Sequence, residues 1–163
     1  MGEAAIKMAS LLKYESAGTV EFLFDEKTKE FWFLEVNTRL QVEHPVTEEV
    51  TGIDLVREQL KIANGDPLSI SQDDVEIIGS SIEVRLYSED PGNDFLPVTG
   101  KLIAFDPCEE PLVRWDVGVE SGSEITPNFD PMLAKIISYG EDRIEAANKF
   151  CLLYTSPSPR DEL

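Results

Sequence analysis

Two runs of aromatic and β-branched residues, TVEFLF at 19–24 and FWFLEV at 31–36, flank the polar stretch DEKTKE. Runs of this composition favour pleated chain, and a short polar break between them predicts an antiparallel hairpin. This pairing constrains the chain more than any other feature. With residues 26–30 as a five-residue loop, Asp25 faces Phe31, Phe24 faces Trp32, Leu23 faces Phe33, Phe22 faces Leu34 and Glu21 faces Glu35. Directly opposed side chains share a face at about 4.5–5.5 Å between Cβ atoms, where like charges repel. A divalent cation converts that repulsion into binding. Asn37, two residues beyond Glu35, adds a neutral oxygen on the same face. Two carboxylates and an amide oxygen are hard ligands suited to Mg²⁺ or Mn²⁺, with substrate phosphates completing the shell. A slip of one residue would separate the pair. The competing reading is an edge hairpin whose glutamates are merely solvated.

The polar line continues past Asn37. In FLEVNTRLQVEHP (33–45) every second residue from Glu35 is polar: Glu35, Asn37, Arg39, Gln41 and Glu43. Extended chain through the whole stretch would set all five on one face. Arg39 stays charged and offers a planar fork to an oxyanion. Glu43, four residues along, is placed to act as a base on what Arg39 holds. A structural Arg39–Glu43 ion pair is the alternative. His44, the one histidine, precedes a proline, is biased to extended geometry and points away, so it reads as structural. The residues alone describe a metal-assisted site for phosphoryl or carboxyl chemistry.

Around this core the pattern is α+β. Residues 2–13 read as a short helix. TGIDLVREQLKIANGDP (51–67) reads as the clearest helix, capped by Thr51, with Ile53, Val56, Leu60 and Ala63 as its apolar stripe and Gly65 closing it. From about residue 77 short strands follow in SSIEVRLYS, GKLIAF, LVRWDV and EITP, with turn signals between them, then a last strand at 131–140 and a helix from 141. The expected division is 1–65, 66–150 and a tail, 151–163. In the tail, CLLYTSPSPRDEL, a Ser/Pro cluster interrupts a continuing helix. Its RDEL ending resembles an endoplasmic-reticulum retrieval signal, but no signal peptide opens the chain. The tail reads as foreign, resembling translated sequencing-adapter read-through.

Charge and hydropathy narrow the function class. With 42% hydrophobic residues the chain can bury a core, and 32 acidic against 14 basic residues give a formal charge of −18. That balance argues against nucleic acid or anionic membrane as partners. No run approaches the roughly 20 apolar residues of a spanning helix. Cys108 and Cys151 have no metal-ligand spacing and suggest no disulfide scaffold, which points to a reducing compartment.

EVNTRLQVEHPVTE closely resembles the biotin carboxylase signature. GTVEFLF, GIDLVREQL, IEVRLYSEDP, FLPVTGK and FDPMLAK resemble their counterparts in the same family, so the resemblance runs over about residues 2–150. It implies the C-terminal part of an ATP-grasp domain followed by the β-rich biotin carboxylase C-terminal domain. The implied activity is ATP-dependent carboxylation of biotin, on a carrier domain, by bicarbonate through carboxyphosphate. By motif match, Glu21 and Glu35 would hold Mg²⁺ or Mn²⁺ bridging the ATP phosphates, with Asn37 assisting. Arg39, Gln41 and the Val42 backbone would bind bicarbonate, Glu43 would take its proton, and Arg85 would stabilise the biotin enolate. From spacing alone, Arg85 is a strand arginine paired with Glu83 or Glu89.

VRLYSEDP and ITPNFDPMLAK look more like the biotin-containing subunits of acyl-CoA carboxylases than like the acetyl-CoA enzyme. The implied partners are a biotin carboxyl carrier domain and a carboxyltransferase subunit, with a homo-oligomeric complete enzyme. The implied location is the cytoplasm, or the mitochondrial matrix in a eukaryote. The family's N-terminal domain, glycine-rich lid and nucleotide-holding lysines have no counterpart here, so the chain is expected to be a fragment inactive by itself. Another ATP-grasp carboxylate–amine ligase, and an inactive metal-binding or oligomerisation remnant, are the alternatives.

Overall fold

The computed structural model describes residues 1–107 and 112–154, with side chains to Cys151. Cys108 and residues 155–163 of the expected foreign tail lie outside the described residues. The chain forms two compact units, one Met1–Glu76 and a second from Ile77 onward.

The first unit begins with helix α1 (Gly2–Leu12), ended by Lys13 in the left-handed conformation. Strands β1 (Thr19–Phe24) and β2 (Phe31–Asn37) pair antiparallel as a two-stranded sheet. The turn is tighter than the five residues expected. Asp25 N donates to Glu30 O at 3.0 Å and its carboxylate accepts from Lys27 N at 2.7 Å, while Lys29 sits at φ 60°. The aspartate side chain thus holds its own turn, as Asx turns do. Helices α2 (His44–Thr51) and α3 (Leu55–Ala63) follow.

Two helices where one was expected is a correction. Pro45 stands in the first turn of α2 and Gly52, at φ 71°, closes it. A leading proline and a trailing left-handed glycine mark helix ends, although HPVTEEVT carries little apolar periodicity. Thr51 therefore ends α2, and it is Asp54 that caps α3, accepting from Arg57 N at 2.8 Å. The expected stripe is also turned: Val56 and Leu60 are 42% and 68% exposed, whereas Glu58 is buried.

In the second unit β3 (Ser80–Tyr87) leads into two small ladders. β4 (Glu89–Asp90) pairs with β5 (Leu96–Pro97), and β6 (Gly100–Lys101) with β8 (Glu124–Ile125). The main sheet has the order β3, β9 (Met132–Gly140), β7 (Arg114–Val117), all antiparallel. Central β9 supplies Leu133, Ala134 and Ile137 to the core, and helix α4 (Arg143–Tyr154) covers it with Ala146 and Phe150. Buried Ser138 donates from Oγ to Ala146 O at 2.9 Å, so its hydroxyl is satisfied. Gly140 permits this approach, because a Cβ there would stand 2.5 Å from Ala146 N. The helix includes residues 151–154, the start of the segment expected to be tail. Among the described residues no helix is long and apolar enough to cross a membrane.

Candidate active site

The hairpin brings Glu21 directly opposite Glu35, by a route different from the one expected. From the tip, Phe24 pairs with Phe31, Leu23 with Trp32 and Phe22 with Phe33, one residue out of the anticipated register. Continued unbroken, that ladder would set Glu21 against Leu34. A β-bulge intervenes: Leu34 has no partner and the register shifts between Phe22 and Glu21, restoring the Glu21–Glu35 pair. Bulges re-aim side chains in this way beside functional sites. Phe22 and Phe31, edge to face at 5.4 Å, fasten the opposite face.

Asn37 ties the two carboxylates together. Its Nδ2 donates to Glu21 Oε1 at 2.8 Å and to Glu35 Oε1 at 3.4 Å. Both oxygens therefore lie around one point. Asn37 offers its amide nitrogen there, not the oxygen expected; half a turn of the amide presents Oδ1 instead, and the two orientations are nearly isosteric. Among the described residues no three His, Cys, Asp or Glu side chains group to hold a metal. The donor set is thus two carboxylates and one amide, which suits a hard cation that keeps positions for phosphate oxygens.

Strand β2 stops at Asn37, so the expected five-residue polar face does not extend to Glu43. Residues 38–43 form a loop, in which His44 N donates to Gln41 O at 3.2 Å, and Glu43 is the N-cap of α2. The loop nevertheless gathers Arg39, Gln41 and Glu43 at one cleft of about 520 Å³. The other walls include Ser16, Ala17 and Gly18 before β1, His44 and Thr47 of α2, and Leu55, Glu58, Gln59 and Ile62 of α3. Gly18 is needed at this rim, since a Cβ would meet the Tyr14 ring at 3.1 Å and Asn37 O at 3.3 Å. Gln41 Nε2 also donates to Glu21 Oε1 at 3.3 Å, joining the loop to the carboxylate pair. Arg39, exposed, donates to Leu40 O at 3.3 Å. Val42 lies in the turn before Glu43 and is half-buried. His44 heads α2, with Nδ1 3.1 Å from Glu48 Oε1.

Residues 55, 58, 59 and 62 are the cleft face of α3. Hydropathy did not flag it, because half of it is polar and satisfied locally. Glu58 accepts from Lys61 Nζ at 2.6 Å, Ser69 Oγ at 2.7 Å and Ser69 N at 3.3 Å. Those donors hold its carboxyl down at about 2, the Lys61 hydrogen bond contributing most. Gln59 Nε2 donates to Ser16 Oγ at 3.1 Å.

Arg85 belongs to the second unit, on β3 directly opposite Lys135 of β9, which in turn faces Asp116 of β7. Asp116 bridges Arg114 at 2.8 Å and Lys135 at 3.3 Å. Burial pushes its carboxyl up, but the Arg114 and Lys135 cations outweigh burial and leave it below the ordinary range.

Two family models match, in the same order as the units. Residues 1–71 match the ATP binding domain of the carbamoyl-phosphate synthase L chain, and residues 83–154 match the biotin carboxylase C-terminal domain. The chain is 52% identical over 151 residues to the mitochondrial propionyl-CoA carboxylase alpha chain of Homo sapiens. The chain belongs to the biotin carboxylase family. Biotin carboxylase 2 of Bacillus subtilis is 50% identical over 149 residues, and each alignment takes in 91% of this chain. The chain spans 21% of the human relative and 33% of the bacterial one. Among solved structures, the biotin carboxylase domain of Hydrogenobacter thermophilus 2-oxoglutarate carboxylase, in complex with MgADP, ADP and bicarbonate, superposes at a TM-score of 0.87. It is 40% identical, covering 94% of this chain and 34% of that one. Part of an ATP-grasp domain followed by a biotin carboxylase C-terminal domain is therefore the architecture of this chain.

Proposed function

We propose that the chain supplies the metal, bicarbonate and biotin-enolate groups of an enzyme that carboxylates biotin with bicarbonate and ATP. The observation that carries this reading is the gathering of Arg39, Gln41 and Glu43 at one cleft, with Gln41 hydrogen-bonded to Glu21 of the carboxylate pair. Oxyanion-binding, proton-accepting and metal-binding groups then lie next to one another, as phosphorylation of bicarbonate requires.

Glu21 and Glu35, with Asn37, would hold Mg²⁺ or Mn²⁺, which when bound would supply positive charge against the triphosphate. The Arg39 guanidinium and the Gln41 amide orient bicarbonate, with the Val42 backbone as a third contact. Glu43 accepts the bicarbonate proton, and the freed oxygen attacks the γ-phosphate with ADP leaving. The product is carboxyphosphate. Its breakdown gives CO₂ and phosphate, and the phosphate takes the proton from the biotin ureido nitrogen. Arg85 meets the resulting enolate with a fixed positive charge where negative charge develops. The ureido nitrogen then attacks CO₂, forming the N–C bond of carboxybiotin; the biotin comes on a carrier domain, and a carboxyltransferase takes up the carboxylated product. The acyl-CoA carboxylases are the preferred subclass, in keeping with the human relative. We place the enzyme in the cytoplasm or mitochondrial matrix.

The test is a pair of substitutions in the complete carboxylase. Glu43→Gln keeps shape but removes the base, so bicarbonate-dependent turnover falls by roughly 10²–10⁴ while Mg²⁺–ATP still binds. Glu35→Gln instead weakens Mg²⁺–ATP. The same nucleotide-binding defect in both would contradict the division of roles.

A further inference from the structure

We infer that Glu48 is a positioning residue for Glu43. The inference rests on the reading of Glu43 as the base. Glu48 lies on α2 with only 8% of its side chain exposed, and it is not one of the cleft-lining residues. One of its oxygens, Oε1, accepts from Leu55 N at 2.9 Å and stands 3.1 Å from His44 Nδ1. Its backbone carbonyl accepts from Gly52 N at 2.8 Å. A single carboxylate therefore joins the first residue of α2 to the first residue of α3. His44, Thr47 and Leu55, which surround it, all line the cleft.

His44 is covalently next to Glu43. The imidazole packs against this carboxylate from inside the helix, with Nδ1 3.1 Å from Oε1, and so limits how the first turn of α2 can shift. In that turn His44 N donates to Gln41 O and Val46 N donates to Glu43 O at 3.1 Å. The same anchor fixes the loop that carries Gln41 and Glu43. Apolar side chains could join two short helices at less desolvation cost. A buried carboxylate that accepts from the Leu55 N–H and stands against the imidazole is more specific about geometry. A general base must lie within hydrogen-bond reach of its proton, and displacing a catalytic group by about 1 Å can cost 10²-fold.

Hydrogen exchange and ligand titration of the ¹⁵N-labelled chain test this, using Glu48→Gln and Glu48→Ala. Glu48→Gln keeps a carbonyl acceptor for Leu55 N–H but loses the charge facing His44. We expect the His44 and Val46 amides to exchange at least tenfold faster in Glu48→Ala and to an intermediate degree in Glu48→Gln. The β1–β2 amides should exchange as before. Bicarbonate-induced shifts at Glu43 should need at least fivefold more ligand in Glu48→Gln, with Mg²⁺-induced shifts at Glu21 and Glu35 unchanged. If Glu48→Ala fails to fold, the Glu48→Gln chain carries both readouts. Unchanged exchange at His44 and Val46 overturns the inference. Faster exchange with unaltered bicarbonate response overturns it too, leaving Glu48 a helix connector. An unsubstituted chain that shows no bicarbonate response overturns the base reading itself, and the inference with it.

Discussion

Three donors converge on Glu58, and its carboxyl accordingly ionises at about 2, against an ordinary value of 4.5. A carboxylate more acidic in the folded chain than in the unfolded one stabilises the fold at pH values above the unfolded value. That contribution fades as pH falls from about 4.5 through about 2. Acid unfolding of Glu58→Gln should lack this component, so the two proteins should converge in stability toward pH 2 and diverge above pH 4.5. A difference that stays constant across that window would show that the carboxylate charge is not what matters. Ser16, at the rim of the same cleft, carries φ 119°, a conformation that suits glycine. Relief of that backbone cost, about 1–3 kcal/mol, outweighs the exposed hydrogen bond from Gln59, worth roughly 0.5–1.5 kcal/mol. Ser16→Gly should therefore stabilise the chain by about 1 kcal/mol in urea titration, and a loss of stability would mean that the Gln59 contact dominates.

At the scale of elements, the hairpin rests on its bulge. Directly opposed residues sit at Cα separations a disulfide can span. With Cys108 and Cys151 replaced by serine, Glu21→Cys with Glu35→Cys should oxidise readily to a crosslink, and Glu21→Cys with Leu34→Cys should not. The reverse preference would mean an unbulged ladder and separated carboxylates. The hairpin and the long strands were legible in the sequence because β-branched and aromatic residues dominate them. β9, from Met132 to Gly140, is mostly apolar, broken by Lys135 and Ser138, and lies between turn signals. The bulge was not legible, because no composition marks Leu34 as the extra residue. The end of β2 was missed for a related reason: polar residues at alternate positions look alike in a half-buried strand and in a solvated loop. α2 lacked an apolar period, and its signal lay in Pro45 and Gly52. Alternation predicts Arg39, Gln41 and Glu43 on one strand face, whereas a loop curls them into one cleft. Nothing in the sequence marks Glu48 or Glu58, since a buried carboxylate shows itself only through partners distant in sequence, such as Leu55 and Ser69.

For the molecule as a whole, the formal charge of −18 gives a divalent cation many weak places to rest. Selectivity for the proposed site at Glu21, Glu35 and Asn37 would come from geometry, since two carboxylates facing one point bind more tightly than scattered single ones. The hairpin that bears them is also unusually open: Trp32, Phe33 and Leu34 are each more than half exposed, so a cation in solution has access to it. The measurement that bears most directly on the account is therefore paramagnetic broadening of the ¹⁵N-labelled chain by sub-stoichiometric Mn²⁺. The amides of Glu21, Glu35 and Asn37 should broaden first, with Gln41 next, and Glu35→Gln should abolish that order. Broadening spread evenly over the acidic surface, or centred away from the hairpin, would contradict the proposed metal site and the chemistry built on it.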